Sequence, residues 1–327
     1  MTTSEVAEIE QSATEHRFRG DVQGLRGIAV ALVLLFHAGV PGFKGGFVGV
    51  DIFFVLSGYL ITGNLMREIN RTGRISFREF YARRIRRLLP ASLFVLLVTL
   101  IVAAIYFPPL LLPGLALDVS SAGLYVSNLD FAIRATDYFS TSVIPSPVLH
   151  FWSLGVEEQF YLFWPLLLAL VTIRKKYLST QIFLLSLIVF LASLSFANWL
   201  LPRNQPWAFF SIPTRAWELI LGALLASAAT LISRLPRALS WIFGALGIGM
   251  VIYSGLTQND PLRFPGTPAQ LPTVGAFLVI LAGAGKKPAL PSTLLANKPL
   301  KALGKISYSL YLWHWPVLVI PQVIVAG

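Results

Sequence analysis

Arg26, His37 and Asp51 stand in the mostly apolar 25–60 stretch, LRGIAVALVLLFHAGVPGFKGGFVGVDIFFVLSGYL. Ionisable groups at membrane depth are costly, so each is a candidate site residue by default. His37 offers a neutral imidazole near pH 7, a general base that can take the proton of an attacking hydroxyl. Its plainer alternative is a packing histidine that donates to a neighbouring carbonyl. Arg26 suits bidentate binding of a phosphate or carboxylate, or else snorkels to lipid headgroups. The eleven positions between Arg26 and His37 make three helical turns plus about 20°, which puts both on one helix face roughly 16 Å apart. If Arg26 marks a water boundary, His37 lies near mid-membrane. Asp51 is placed to bind substrate hydroxyls or to pair with Arg215 or Lys44.

A second set lies further along. In HFWSLGVEEQFY, His150 and Glu157 are seven apart and share a face if both are helical. Glu157 and Glu158 point about 100° apart, so at most one of them faces a site, to orient His37 or to bind substrate hydroxyls. The alternative is an interfacial carboxylate in water. Arg215 and Glu218, three apart, form an intrahelical ion pair or contact a substrate. In ISYSLYLWHWP, Tyr308, Tyr311 and Trp315 recur at helical spacing around His314. An aromatic belt accounts for Trp313 and Trp315, and leaves His314 as a candidate substrate contact. Gly58, next to Ser57, permits close helix approach. The chain has no cysteine, which excludes disulfides and thiolate catalysis. Its four histidines are not at ligand spacing, which argues against a metal site.

The elements that must position these residues are membrane helices. Hydrophobic residues make up 55% of the chain and charged residues 13%, the balance of an all-α polytopic membrane protein. The net charge of +11 sits in short loops, as positive-inside topology requires, and a nucleic-acid surface is absent. Residues 1–17 read as a disordered cytoplasmic tail and not a signal peptide. Nine spans are predicted: Leu25–Val40, Gly49–Arg67, Leu88–Phe107, Trp152–Ile173, Gln181–Leu201, Pro213–Ser233, Leu239–Tyr253, Leu271–Ala284 and Ile306–Val325. A basic loop, Arg67–Arg87, separates the second and third. Pro108–Phe151 reads as interfacial or re-entrant on the outer face, because a span there would put Arg174, Lys175 and Lys176 outside. With the N-terminus in the cytoplasm, all 26 basic residues but Lys44, Arg134, Arg203, Arg215 and Arg263 fall on that side.

The Arg-to-His spacing followed by GVDIFFVLSGYLI resembles acyltransferase family 3, the bacterial membrane O-acyltransferases of cell-envelope glycans. YARRIRRLLP, HFWSLGVEEQFYLFWP, TRAWELILGALLA and ISYSLYLWHWP follow in the family's order, over Phe18 to Pro321. The resemblance makes 18–327 an acyltransferase domain in the cytoplasmic membrane, expected to be truncated at its C-terminus. It implies that His37 is the base, aided by Glu157 and Arg26. It also implies that Arg84 and Arg87, an Arg-x-x-Arg pair, grip the phosphates of an acyl-CoA co-substrate such as acetyl-CoA, with Arg26 guiding the donor. No tightly bound cofactor is expected. Beyond the bilayer and acyl-CoA, the implied partner is an envelope glycan, with Asp51, Arg215, Glu218 and His314 in its site. The rival class is a transporter of a lipid-linked or anionic solute, against which stand the missing repeat symmetry and the lack of paired broken helices.

Overall fold

The computed structural model describes residues 19–134, 145–171, 177–285 and 289–326, without the side chains of 230, 231 and 326. The tail over 1–17 and the basic residues Arg174, Lys175, Lys176, Lys286 and Lys287 lie outside the described residues. Every element within them is helical.

Helix α1 (Gly20–His37) begins earlier than predicted, carries Asp21 in its first turn and stops at His37. The turn beyond uses Gly39 and Gly42 at φ of 69° and 90°, conformations that favour glycine. Helix α2 (Gly49–Thr72) ends on Gly73 in the left-handed region. Helix α3 (Phe77–Tyr106) has 30 residues. The basic stretch predicted as a loop is thus mostly helix, and only 73–76 connect α2 to α3. Arginine, glutamate and leucine are good helix formers, and Glu79 pairs with Arg83 one turn on, at 3.5 Å. At about 45 Å, α3 outreaches the roughly 30 Å hydrocarbon core, so its arginine-rich turns stand at a membrane face.

The Pro108–Phe151 region contains α4 (Leu112–Gly123) and α5 (Ser127–Ile133). Neither is long enough to span a bilayer. The remaining long helices are α6 (Phe151–Val171), α7 (Leu178–Leu200), α9 (Ile212–Ser227, after the short α8, Gln205–Phe210), α11 (Arg237–Thr257, after α10, Ala229–Ile232), α12 (Thr267–Gly283) and α15 (Ser307–Ala326). Among the described residues, eight helices are long and apolar enough to cross a membrane, the joined α8–α9 among them, and α12 is a shorter apolar helix. Three short helices were not anticipated: α8, α13 (Leu290–Leu295) and α14 (Lys298–Lys305). They are too short to show a hydrophobic run.

Two crossings hold the bundle at the site. Where α2 meets α9, a Cβ on Gly58 would lie 1.7 Å from the Leu219 carbonyl oxygen, and one on Gly222 would lie 2.0 Å from that of Val55. Only glycine permits that approach. Where α1 meets the α13–α14 region, a Cβ on Gly24 would lie 1.9 Å from the Leu295 carbonyl oxygen, and one on Gly27 would lie 2.4 Å from that of Leu300.

Candidate active site

Helices α1 and α15 run side by side in the same direction. Arg26 Nη2 donates to Ser307 Oγ at 3.0 Å, and His37 Nδ1 lies 3.2 Å from His314 Nε2. The shared face of Arg26 and His37 is therefore the face against α15. His314 is the eighth of 20 residues of α15, so His37 sits about 10 Å along that helix from its start.

Two cavities meet there. The larger, about 1510 Å³, is lined by seven arginines and three glutamates, among them Arg26, Arg84, Arg87 and Glu157. Small-molecule pockets usually hold about 300–1,000 Å³, so there is room for a nucleotide-sized ligand. The smaller, about 30 Å³, is lined by His37, His150, Asp51, Arg215 and Trp315 among others. It holds on the order of two waters. Val50 and Tyr311 line both cavities and form the wall between them.

On the arginine side, Glu157 accepts hydrogen bonds from Ser57 Oγ and Tyr161 OH. Arg84 lies 3.5 Å from Glu158 and 3.2 Å above the Tyr161 ring. Among the described residues neither Arg26 nor Arg87 has a carboxylate partner. The expectation that Glu157 orients His37 is corrected: the two line different cavities. The polar neighbours of His37 are the His314 ring and the Val33 carbonyl one turn back.

On the histidine side, His314 Nδ1 lies 2.6 Å from the Tyr311 carbonyl oxygen, and the His150 and His314 ring centroids are 5.3 Å apart. His150 precedes α6 instead of belonging to it, and its Nε2 donates to the Leu312 carbonyl at 3.1 Å. Proline has no N–H, so Pro316 leaves the carbonyl four residues back, that of Leu312, open to this donor. That is a legible signal in the WHWP motif, and sequence reasoning missed it. Trp315 is no belt residue. It packs edge-on to His37 at 4.6 Å and donates to the Ser146 carbonyl at 2.9 Å. Among the described residues no cluster of His, Asp and Glu has the makings of a metal site.

Asp51, Arg215 and Glu218 form a closed triad. Arg215 Nη1 lies 3.0 Å from both Asp51 Oδ1 and Glu218 Oε1, and Arg215 Nε donates to the Phe209 carbonyl at 2.9 Å. All three are at most 2% exposed. The α2–α9 glycine crossing makes this approach possible, and of the partners weighed for Asp51 it selects Arg215. Asp51 and Arg215 line the small cavity.

These features define a polytopic membrane helix bundle in which a cationic cavity abuts a histidine-lined one. Residues 19–325 match the model of the Acyltransferase domain family, and the chain belongs to that family, acyltransferase family 3. It is 33% identical over 310 residues to the peptidoglycan O-acetyltransferase OatA of Listeria monocytogenes, covering 91% of this chain and 49% of the relative. It is 34% identical over 327 residues to the O-acetyltransferase OatA of Staphylococcus aureus, covering 98% and 53%. The chain spans about half the length of these curated relatives. No solved structure matches it.

Proposed function

We propose that this chain is the membrane-embedded part of an O-acyltransferase of the bacterial cytoplasmic membrane. It moves an acyl group, acetyl in the first instance, from acyl-CoA to a hydroxyl of a cell-envelope carbohydrate. The observation that carries this reading is the shared wall of Val50 and Tyr311 between a cationic cavity and one holding His37. The names of the relatives support a peptidoglycan sugar as acceptor.

The arginine-lined cavity faces the cytoplasm in this scheme, because Arg67, Arg71, Arg83 and Arg87 at its rim obey positive-inside topology. Arg87 and Arg26 hold the donor's phosphates, and Arg84 holds the Glu158 and Tyr161 side of the cavity in place. The thioester reaches the Val50–Tyr311 wall, and the sugar hydroxyl approaches it from the small cavity, which opens to admit it. The hydroxyl oxygen attacks the thioester carbon, forming a C–O bond, and the C–S bond breaks. The hydroxyl proton passes to His37 and then to the departing sulfur, so the products are ester and free thiol. No cofactor other than the co-substrate enters.

The test uses protein in nanodiscs with radiolabelled acetyl-CoA and peptidoglycan fragments. Label is expected in glycan, with stoichiometric release of coenzyme A, and His37→Ala is expected to lower the rate by about 10²–10⁴-fold. Transfer at the wild-type rate by His37→Ala overturns the base assignment. Solute movement across the bilayer without coenzyme A release overturns the enzyme reading in favour of a transporter.

A further inference from the structure

We propose that His314 is the positioning residue for His37: it accepts the Nδ1–H of His37 and so holds the lone pair of His37 on Nε2, the nitrogen that takes the acceptor's proton. This rests on the acyl-transfer reading above.

The order of protons follows from what each group can do. A backbone carbonyl only accepts, so His314 Nδ1, 2.6 Å from the Tyr311 oxygen, carries a hydrogen. A neutral imidazole has one N–H, which leaves a lone pair on His314 Nε2. That nitrogen is 3.2 Å from His37 Nδ1, and between two ring nitrogens the contact needs one hydrogen. It must belong to His37. His37 Nε2 then carries the lone pair. Free imidazole side chains in water favour the opposite tautomer, with hydrogen on Nε2, which could not act as base there. The neighbour thus selects the working form, as the group behind a catalytic histidine does elsewhere.

The same contact serves the charged state. When His37 takes the hydroxyl proton on Nε2, both its nitrogens carry hydrogen, and the Nδ1–H still points at the lone pair of His314. His314 keeps its own proton on the Tyr311 carbonyl, so positive charge stays on His37 until it is passed to sulfur. Placement suits the task. His37 is the last residue of α1, followed by the glycine-containing turn, and a terminal side chain has no helical turn beyond it for support. His314 lies within α15 and is 8% exposed. The His150 ring and Trp315, packed on either side, restrain both rings.

The experiment reads the tautomer directly. Protein labelled with ¹⁵N-histidine in nanodiscs is examined by NMR, with His37 assigned from His37→Gln. The expected result is hydrogen on His37 Nδ1 in the wild type and a shift toward Nε2–H in His314→Phe. His314→Gln, whose oxygen can accept at the same place, is expected to retain the Nδ1–H form. In parallel, His314→Phe is expected to lower kcat about a hundredfold with KM for acetyl-CoA unchanged, and His314→Gln to recover much of the loss. A wild-type His37 with hydrogen on Nε2 overturns the proposal, and so does a tautomer indifferent to His314→Phe. Absence of transfer by the wild type overturns the acyl-transfer reading instead, while the NMR result still decides the His37–His314 relation.

Discussion

Arginine does opposite work on the two sides of the Val50–Tyr311 wall. Arg26 and Arg87 face a cavity of about 1510 Å³ without carboxylate partners among the described residues. Arg215, 2% exposed, is held by Asp51, Glu218 and the Phe209 carbonyl, with its guanidinium 4.7 Å from the Phe209 ring. An unpaired guanidinium is tolerable where water or an anion can reach it. In a closed interior it must be compensated. The first kind is available to a ligand, whereas the second holds helices together. A count of charged residues cannot tell them apart.

The largest effect that would sharpen this contrast is at Arg215. Arg215→Met leaves two buried carboxyl groups without their cation and is expected to cost about 3–5 kcal/mol, read as a lower unfolding temperature in detergent. Glu218→Gln keeps one carboxylate for one guanidinium, and a change under about 1 kcal/mol is expected. Equal losses in the two variants would show that packing, not charge, holds the triad. Next come two glycines of α2. Gly58→Ala drives a Cβ into the α9 backbone and is expected to destabilise by roughly 1–3 kcal/mol. Gly63, which lines the large cavity and has nothing within 4 Å of its would-be Cβ, is expected to gain up to about 1 kcal/mol as alanine. Comparable losses at both would mean that the crossing is looser than its geometry. The smallest stability effect belongs to Arg87→Gln. The unfolding temperature should not move, while KM for acetyl-CoA rises about tenfold, the worth of one charge-assisted contact. A stability loss at Arg87 comparable to that at Arg215 would break the comparison.

Much of the architecture was legible because hydrocarbon imposes a simple rule. Backbone groups must be satisfied within a helix, so long apolar runs mark where helices lie. The helical periodicity was equally legible: Arg26 and His37 do share a face, and it is the one against α15. Helix ends were less so. The Arg67–Arg87 stretch looked like a loop because it is charged, yet charge only excludes hydrocarbon and says nothing against helix. The α13–α14 pair went unseen because its burial comes from glycine contacts with α1, not from an apolar run of its own. Trp313 and Trp315 suggested an aromatic belt, whereas Trp315 turns inward onto His37.

The sequence by itself determined that this is a membrane helix bundle, where its long helices lie, and which residues share a face of one helix. Those properties are set by transfer from water and by 3.6-residue periodicity, both local along the chain. Only the tertiary structure decided the partners: His37 with His314 and not Glu157, Arg84 with Glu158, Asp51 with Arg215. The reason is physical. Which side chains meet between helices depends on where the helices cross and how closely, and that is governed by glycine contacts and lateral order that no spacing within a single helix encodes.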